Sequence, residues 1–281
     1  MILAEKKKKP YKLGLALSGG GAKGFAHIGV FEKLEELGVR PDIIAGTSAG
    51  SIAGVLYADG KKPDEIKKLF TGKEFSEFAQ IKFPKDGFFD MHKMQHFLEK
   101  SLKAKTFEEL QTPMIVVATD LDHGKSHLFN KGPIIRPVIA SSSVPIVFCP
   151  QEIDGVRYVD GGLFRNFPVT PLKELCEYVI GVNVSPLTPR EYKPTILHIA
   201  ERSYHYIFSA NALIDRELCD LLIETHKFDD FKMFDLENVD MIAKIGYNTA
   251  TEAIDKLIKE NKKKRLVYML QNGHPRKVPS V

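Results

Sequence analysis

The residues best suited to covalent chemistry lie in a glycine-rich pentapeptide near the start of the chain. Gly46-Thr47-Ser48-Ala49-Gly50 has the pattern G-x-S-x-G, with the apolar run 43–45 before it and the helix-compatible run 51–58 after it. A sharp strand-to-helix turn needs small residues such as Gly46 and Gly50 beside the serine, and it projects the serine hydroxyl out of the sheet. The motif therefore predicts that Ser48 is an exposed nucleophile, as in a serine hydrolase.

A second glycine cluster supplies the other part that such a hydrolase needs. Gly19-Gly20-Gly21-Ala22-Lys23-Gly24 follows the apolar run 13–17 and opens a helix-like stretch. Without side chains, Gly19, Gly20 and Gly21 can turn their N–H groups toward one point near a helix N-terminus, where a negative charge is stabilised. We expect these amides to form an oxyanion hole. Lys23 either adds positive charge there or faces solvent.

The same glycines also fit a dinucleotide-binding pattern. Gly19, Gly21 and Gly24 spell G-x-G-x-x-G after a predicted strand, which is a feature of nucleotide-binding folds. Such folds place an acidic residue at the end of the second strand to hold the ribose. This chain has Gly46 and Ser48 there, and Asp42 lies before that strand. We therefore expect no nucleotide cofactor.

Two schemes supply the base that would activate Ser48. A catalytic triad would combine an aspartate with a histidine, the candidates being Asp120 or Asp122 with His198, His205 or His226. In the α/β-hydrolase fold, however, the serine turn comes after several strands, usually well past residue 48. His27 lies within the first predicted helix, where a packed histidine is the simpler interpretation.

The second scheme uses Asp160 directly. Asp160-Gly161-Gly162 follows a short predicted strand, and the glycines allow a tight turn that would bring the carboxylate to Ser48. A carboxylate is a weak base for an alcohol, so it must act in a partly desolvated cleft and accept the proton as the new bond forms. Taken alone, the tripeptide is equally compatible with an ordinary turn.

The elements that would position these motifs alternate between strands and helices. The apolar patterns predict strands over 12–18, 43–45, 114–119, 126–129, 157–159, 178–182 and 218–224, with a hairpin turn over 122–125. They predict helices over 22–37, 49–58, 92–102, 134–141, 195–215 and 237–260. Such alternation favours a parallel sheet with helices on its faces, in one domain. Residues 60–112 are less regular, and Phe88-Phe89 within them fits either an acyl channel or the core.

One predicted helix has a distinct apolar stripe. Over 195–215 the apolar residues recur at helical spacing, and we expect this stripe to pack on the sheet; its members are Ile196, Ile199, Tyr206, Ile207, Ala210, Leu213 and Ile214. The domain is expected to cover residues 11–260. Residues 1–10 and 261–281 are expected to be basic tails.

Composition limits the class of protein. Of 281 residues, 43% are hydrophobic and 27% are charged, which is typical of a globular domain with a developed core. The formal net charge of +4 arises largely from the lysine clusters at 6–9 and 262–265, which are either solvated ends or weak attractions to anionic phospholipid. The basic residues form no nucleic-acid motif.

Targeting signals and metal ligands are also not expected. The three cysteines Cys149, Cys176 and Cys219 are widely spaced, as expected for reduced core thiols in the cytoplasm. The run before the lysines is too short for a signal peptide, and no run is long enough to span a membrane, so membrane contact would be peripheral at the inner surface. Asp120 and Asp122 lack the ligand series of a calcium loop, and we expect neither metal nor cofactor.

Taken together, the motifs resemble the patatin-like phospholipases, bacterial members especially. The resemblance rests on residues 19–24, 46–51 and 160–162, with a fourth block at Ala140-Ser141-Ser142-Ser143-Val144-Pro145, and covers roughly residues 11–260. It implies a three-layer α/β sandwich with a mostly parallel sheet and helices on both faces. It also implies a Ser48–Asp160 dyad without histidine that hydrolyses phospholipid or other acyl esters through an acyl-serine. Lys23 departs from the pattern, since many members have arginine there.

The resemblance leaves the lipid open, and alternatives to the dyad remain. Another possibility is a Ser-His-Asp esterase or thioesterase. A non-catalytic lipid-binding or membrane-docking module on the same scaffold is a third.

Overall fold

A single large sheet forms the middle of the molecule in the computed structural model, which describes residues 9–81, 87–186, 195–228, 231, 233 and 236–275. Its strands are β1 (Tyr11–Leu17), β2 (Ile43–Thr47), β5 (Met114–Asp120), β6 (Lys125–Phe129), β7 (Gln151–Ile153), β8 (Val156–Asp160), β9 (Cys176–Asn183) and β10 (Leu221–Glu224). A separate short ribbon pairs β3 (Gln80–Ile81) with β4 (Phe89–Asp90).

Helices connect and cover the strands. The α-helices are α1 (Ala26–Glu36), α2 (Ala49–Ala58), α3 (Pro63–Phe70), α4 (His92–Ser101), α5 (Ile135–Ser141), α6 (Gly162–Arg165), α7 (Thr170–Leu175), α8 (Ile196–Leu218), α9 (Val239–Glu260) and α10 (Lys264–Asn272). Short 3₁₀ helices cover Gly21–Phe25, Phe75–Glu77, Phe107–Glu109 and His226–Phe228. The predicted helix over 22–37 is thus a 3₁₀ turn followed by α1, and Gly38, with φ 67°, lies two residues after the end of α1.

The sheet is mostly parallel, as the sequence predicts. Its strand order is β10-β9-β1-β2-β5-β8-β7, with β6 paired to β5. Strands β10, β9, β1, β2 and β5 run parallel to one another, whereas β6 and β8 are antiparallel to β5 and β7 is antiparallel to β8. The hairpin predicted at 122–125 joins β5 to β6.

Alternating residues of the central strands pack against helices on opposite faces. Leu13, Leu15 and Leu17 belong to a core cluster that includes residues of α1, α2 and α9. Ala16 of the same strand belongs to a second cluster, with Leu172 of α7 and others. Because side chains alternate along a strand, the two clusters lie on the two faces of the sheet. The predicted three-layer sandwich with helices on both faces is confirmed.

Strand pairing on β5 brings two distant parts of the chain together. Val116 and Val117 pair with both β2 and β6, so these strands lie on opposite edges of β5. Ala118 to Asp120 pair with both β6 and β8, so β8 lies on the same edge as β2. There Thr47 is opposite Val117 and Asp160 is opposite Ala118. Strands β2 and β8 therefore meet end to end, with the residue after Thr47 beside Asp160.

The apolar stripe of α8 faces away from the sheet, so the predicted orientation of this helix is wrong. The exposed residues include Ile199, Tyr206, Ile207, Ala210, Leu213 and Ile214; the side chain of Ile196 lies outside the described part. Among the side chains of α8 that the structure describes, the buried ones are Phe208, Ser209, Ala212 and Asp215. Residues 162–170 lie on the inner side of α8, and their main-chain groups form hydrogen bonds with polar side chains of this helix.

The chain after residue 260 contains structure that the prediction of a basic tail does not include. Helix α10 buries Leu266, Val267 and Leu270, and His274 forms a bridge with Val39. At the other end, residues 1–8 of the predicted basic tail lie outside the described part of the chain, and Lys9 Nζ donates to the carbonyl groups of Lys173 and Cys176. No helix among the described residues has the length and apolar character needed to cross a bilayer.

Candidate active site

Ser48 occupies the sharp turn between β2 and α2. Its φ of 52° and ψ of −125° place a non-glycine residue in a disfavoured backbone region, which is common at functional sites. The turn is tight on both sides, since a Cβ added at Gly46 would lie 2.5 Å from the carbonyl oxygen of Gly50. The local sequence thus fixes the strained turn that G-x-S-x-G predicts.

Asp160 lies within hydrogen-bonding distance of this serine. Ser48 Oγ donates to Asp160 Oδ2 over 2.6 Å, and the N–H of Gly162 donates to Asp160 Oδ1 over 2.7 Å. The main chain of Asp160 is also held, because its N–H donates to the carbonyl of Ser143 and its carbonyl accepts from Thr119 Oγ1. Both carboxylate oxygens therefore have defined partners.

Burial strengthens Asp160 as a base. The residue is 1% exposed, and this desolvation raises its pKa from 3.8 to about 6, although the hydrogen bonds from Ser48 and Gly162 act in the opposite direction. At neutral pH the carboxyl group is still ionised. It holds a proton more strongly than an exposed aspartate does, which suits proton transfer from an alcohol.

Ser141 at the end of α5 fixes the main chain of the nucleophile. The N–H of Ser48 donates to Ser141 Oγ over 2.9 Å, and Ser141 Oγ donates to the carbonyl of Val117 over 2.6 Å. Ser51 Oγ in turn donates to the carbonyl of Ser48. The sequence pattern assigns Ser141 no role, and these contacts show that it positions the main chain of Ser48.

The glycine loop after β1 offers fewer free amides than the sequence predicts. The N–H of Gly19 donates to the carbonyl of Asn166 over 3.0 Å, and the N–H of Ala22 donates to the carbonyl of Met233. Within the described part of the chain, the N–H groups of Gly20 and Gly21 have no acceptor. The expectation that Gly19 is a donor for the oxyanion is corrected here, because its N–H is already bonded.

Lys23 and Gly24 join this loop to the serine turn. Lys23 is 8% exposed, so its side chain lies inside the protein and the alternative that it faces solvent is excluded. A Cβ added at Gly24 would lie 2.5 Å from the Cβ of Ala49, the residue after the nucleophile. Gly24 therefore allows the 3₁₀ turn and the start of α2 to pack closely.

The residues of the alternative triad have other partners. Asp120 Oδ1 accepts from the main-chain N–H of His123, and Asp122 pairs with Arg157. The side chain of His198 lies outside the described residues, whereas His205 is on α8 and His226 on a 3₁₀ turn. Since Ser48 bonds Asp160, the geometry favours the two-residue scheme.

His27 is buried and supports the glycine loop. Its Nε2 lies 2.9 Å from the carbonyl oxygen of Ser18, to which the ring N–H donates. Burial lowers the pKa of His27 to about 4, so the ring is neutral at physiological pH. The prediction that His27 is a packing residue is confirmed by its complete burial.

Other predicted residues lie around the site with less defined roles. Phe88 is exposed, so the core alternative is wrong for this residue, whereas Phe89 is half buried against Phe148. The acyl-channel alternative stays a prediction. Cys149 and Cys176 are buried free thiols, as predicted, and Cys219 is partly exposed.

Two asparagines of the site were missed by sequence reasoning. Asn211 of α8 accepts a hydrogen bond from the N–H of Asn166 over 2.9 Å and donates to the carbonyl of Gly162 over 2.6 Å. It thereby fixes the turn that follows Asp160. Because Asn211 lies on a helix distant in sequence from this turn, no local pattern could have identified it. Asn166 lies six positions after Asp160, and no motif marks it.

Comparison with known proteins places the chain in a family. The model of the patatin-like phospholipase family matches residues 15–173, which include both glycine motifs, Ser48 and Asp160. An NTE family protein of Mycobacterium tuberculosis is 32% identical over 211 residues, which cover 73% of this chain and 58% of the relative. Lysophospholipase NTE1 of Cryptococcus neoformans is 29% identical over 197 residues, covering 66% of this chain and 12% of that protein.

One solved structure shares the fold at low sequence identity. The crystal structure of VipD from Legionella pneumophila superposes with a TM-score of 0.51 at 14% identity, covering 91% of this chain and 72% of that chain. This likeness concerns the fold alone. The chain spans little more than half the length of its mycobacterial relative and about an eighth of the fungal one.

Proposed function

Because this chain belongs to the patatin-like phospholipase family, we propose that it is a lipid acyl hydrolase in which Ser48 is the nucleophile and Asp160 the base. The observation that carries the proposal is the 2.6 Å hydrogen bond from Ser48 Oγ to Asp160 Oδ2. A strained serine turn and a buried carboxylate with a raised pKa support it further. These features are those of an activated nucleophile and have no evident use in a lipid-binding module.

In the first half of the reaction, Ser48 Oγ attacks the ester carbonyl carbon of the lipid. Asp160 Oδ2 accepts the hydroxyl proton as the oxygen–carbon bond forms, and the carbonyl electron pair moves onto oxygen to give a tetrahedral oxyanion. The intermediate then collapses, the ester bond breaks, and the leaving alcohol takes the proton from Asp160. The product is an acyl-serine.

In the second half, water replaces the alcohol. Asp160 accepts a proton from the water as it attacks the acyl carbon, and a second oxyanion forms. When this intermediate collapses, Ser48 leaves and recovers the proton, which releases a fatty acid. The same carboxylate therefore serves as base and acid in both halves of the reaction.

The oxyanion needs donors that already point at it before the reaction. The N–H groups of Gly20 and Gly21 are suited to this, since they have no acceptor among the described residues and open the 3₁₀ turn Gly21–Phe25. Loss of one such donor typically lowers turnover about 10²–10³-fold. The N–H of Gly19 instead holds the loop against Asn166.

The fungal relatives named lysophospholipase suggest the lipid to test first. We propose that single-chain phospholipids are substrates and that contact with the lipid surface is peripheral. A p-nitrophenyl acyl ester serves as a second, chromogenic substrate that does not depend on the lipid head group.

The dyad is tested by two substitutions. We expect Ser48→Ala and Asp160→Asn each to lower kcat/KM by at least about 10³-fold on both substrates, because neither half-reaction proceeds without nucleophile or base. Ser48→Ala should also abolish covalent labelling by a fluorophosphonate probe. The matched control is Asp122→Asn, which removes an exposed carboxylate paired with Arg157 and should leave activity unchanged. Near wild-type turnover by Asp160→Asn would exclude the dyad.

A further inference from the structure

The side-chain amide of Asn166 is buried beside the candidate site without a partner. The residue is 1% exposed, and neither Oδ1 nor Nδ2 has a hydrogen-bond partner in the described part of the protein. Burying an amide without partners costs free energy, and most buried polar groups avoid this. An exception in a well-packed region calls for a functional explanation.

Two glycines locate the Oδ1 end of this amide near both the nucleophile and the base. The position of a Cβ on Gly19 would lie 2.5 Å from Asn166 Oδ1 and 3.0 Å from the Cβ of Ser48. The position of a Cβ on Gly162 would lie 3.1 Å from Asn166 Oδ1 and 3.0 Å from Asp160 Oδ1. The amide therefore occupies space that exists only because both neighbours lack a side chain, within a few ångströms of both members of the dyad.

The main chain of Asn166 is held firmly even though its side chain is unbonded. Its N–H donates to Asn211 Oδ1, and its carbonyl accepts from the N–H of Gly19. The amide is thus presented by a backbone that is tied both to α8 and to the glycine loop. The backbone under the amide is therefore fixed, and because neither amide atom is bonded, rotation about the terminal side-chain bond is enough to exchange Oδ1 and Nδ2.

Neither member of the dyad bonds this amide. Asp160 already accepts from Ser48 and Gly162, one hydrogen bond at each oxygen. The N–H of Gly19 is used by the main chain of Asn166 itself, which leaves the oxyanion one backbone donor fewer. The substrate brings a carbonyl oxygen that gains negative charge next to Ser48, and an amide N–H is a suitable donor to it.

We propose that Asn166 is a catalytic residue whose side-chain amide turns over, so that Nδ2 takes the place of Oδ1 and donates a hydrogen bond to the acyl oxygen of the substrate as it becomes the oxyanion. The inference rests on the proposed function of Ser48 and Asp160. It assigns the oxyanion a side-chain donor besides the amides of Gly20 and Gly21. The donor acts mainly in the transition state, where the charge is greatest, so its loss lowers kcat more than it raises KM.

The test replaces Asn166 by leucine, which has nearly the same shape and no hydrogen-bonding group. We expect Asn166→Leu to lower kcat on the p-nitrophenyl ester by about 10²–10³-fold with KM changed less than about threefold. The denaturation midpoint should equal or exceed that of the wild type, since an unpaired buried amide is removed. The acid limb of the pH–rate profile should not move, because the base is untouched. Asn272→Leu, the same change on an exposed helix end, is the control.

Each other outcome overturns the inference. A kcat within about fivefold of the wild type shows that the amide is not needed, and a shifted acid limb shows that it acts on Asp160 instead. Should Asn166→Leu fold poorly, Asn166→Ala is measured in the same way, and unfolding of both variants makes the residue structural. A wild type that hydrolyses no acyl ester refutes the proposed function itself, whereas an active wild type with an equally active Asn166→Leu removes only the role of Asn166.

Discussion

Asp160 illustrates how the surroundings of one carboxyl group set its chemistry. Burial raises its pKa toward that of histidine, and hydrogen bonds from Ser48 and Gly162 keep it from rising further. An exposed aspartate would be too weak a base for an alcohol, and a fully unpaired buried one would be protonated at neutral pH. In the proposed reaction, this intermediate value suits a single carboxylate to the role that an imidazole has in a triad.

The raised pKa of Asp160 predicts the acid side of the pH–rate profile. The base must be ionised to accept a proton, so kcat/KM should fall as the pH drops through about 6. Steady-state hydrolysis of a neutral p-nitrophenyl ester between pH 4.5 and 8 measures this directly. The same limb should persist in His205→Ala and His226→Ala variants. An acid limb near pH 4, or one that disappears when a histidine is replaced, would show that Asp160 is not the base.

At the scale of the element, α8 shows why an apolar stripe does not always face the core. Asp215 of this helix accepts hydrogen bonds from the N–H and the hydroxyl of Thr170, over 2.6 and 2.5 Å. Asn211 bonds the turn after Asp160 in the same way. Main-chain groups of the segment under α8 need polar partners, and meeting that need turns the polar residues inward.

The observed orientation of α8 predicts that its polar residue Asp215 contributes more to stability than its apolar residue Ile214, whereas the apolar periodicity predicts the reverse. Ile214→Ser alters a side chain that is 73% exposed and should change the free energy of unfolding by less than about 0.5 kcal/mol. Asp215→Ala leaves the donors of Thr170 unpaired and should cost about 1–3 kcal/mol. Urea denaturation of both variants measures the difference. A larger loss for Ile214→Ser would mean that the stripe is buried after all.

For the whole molecule, His27 couples stability to pH. The folded protein holds this ring neutral with a pKa of about 4, whereas the unfolded chain binds a proton near pH 6.5. The unfolded state therefore takes up a proton first as the pH falls, which favours unfolding. The stabilisation is complete above about pH 6.5 and is lost progressively toward pH 4. Asp160 acts in the opposite sense, because its folded pKa is raised.

Replacing His27 by glutamine isolates this effect. Glutamine keeps an N–H donor for the carbonyl of Ser18 but does not titrate. Between pH 6.5 and 4 we expect the wild type to lose on the order of 3 kcal/mol of stability relative to His27→Gln. The comparison uses unfolding free energies at several pH values, and the contribution of Asp160 cancels because both proteins contain it. Parallel pH curves for the two proteins would contradict a buried neutral ring.

The sequence by itself determined the features that depend on neighbouring residues. The small residues around Ser48 predict its strained turn, and the alternation of strands and helices predicts a parallel sheet with helices on its faces. The family follows from motifs that are each local. The sequence also identifies Asp160 as a candidate base, since the adjacent glycines indicate a tight turn. These inferences succeed because turns and periodic faces are encoded within a few residues.

Only the tertiary structure decided which distant groups meet. The register of β5 sets Thr47 opposite Val117 and Asp160 opposite Ala118, so that two strand ends adjoin. The partners of Gly19, Asn166 and Asn211 depend on the same packing, as does the inward face of α8. Such contacts join segments far apart along the chain, and their existence depends on how whole layers pack. A local sequence pattern does not encode that packing. The partners of Gly19, Asn166 and Asn211 could therefore be identified only from the tertiary structure.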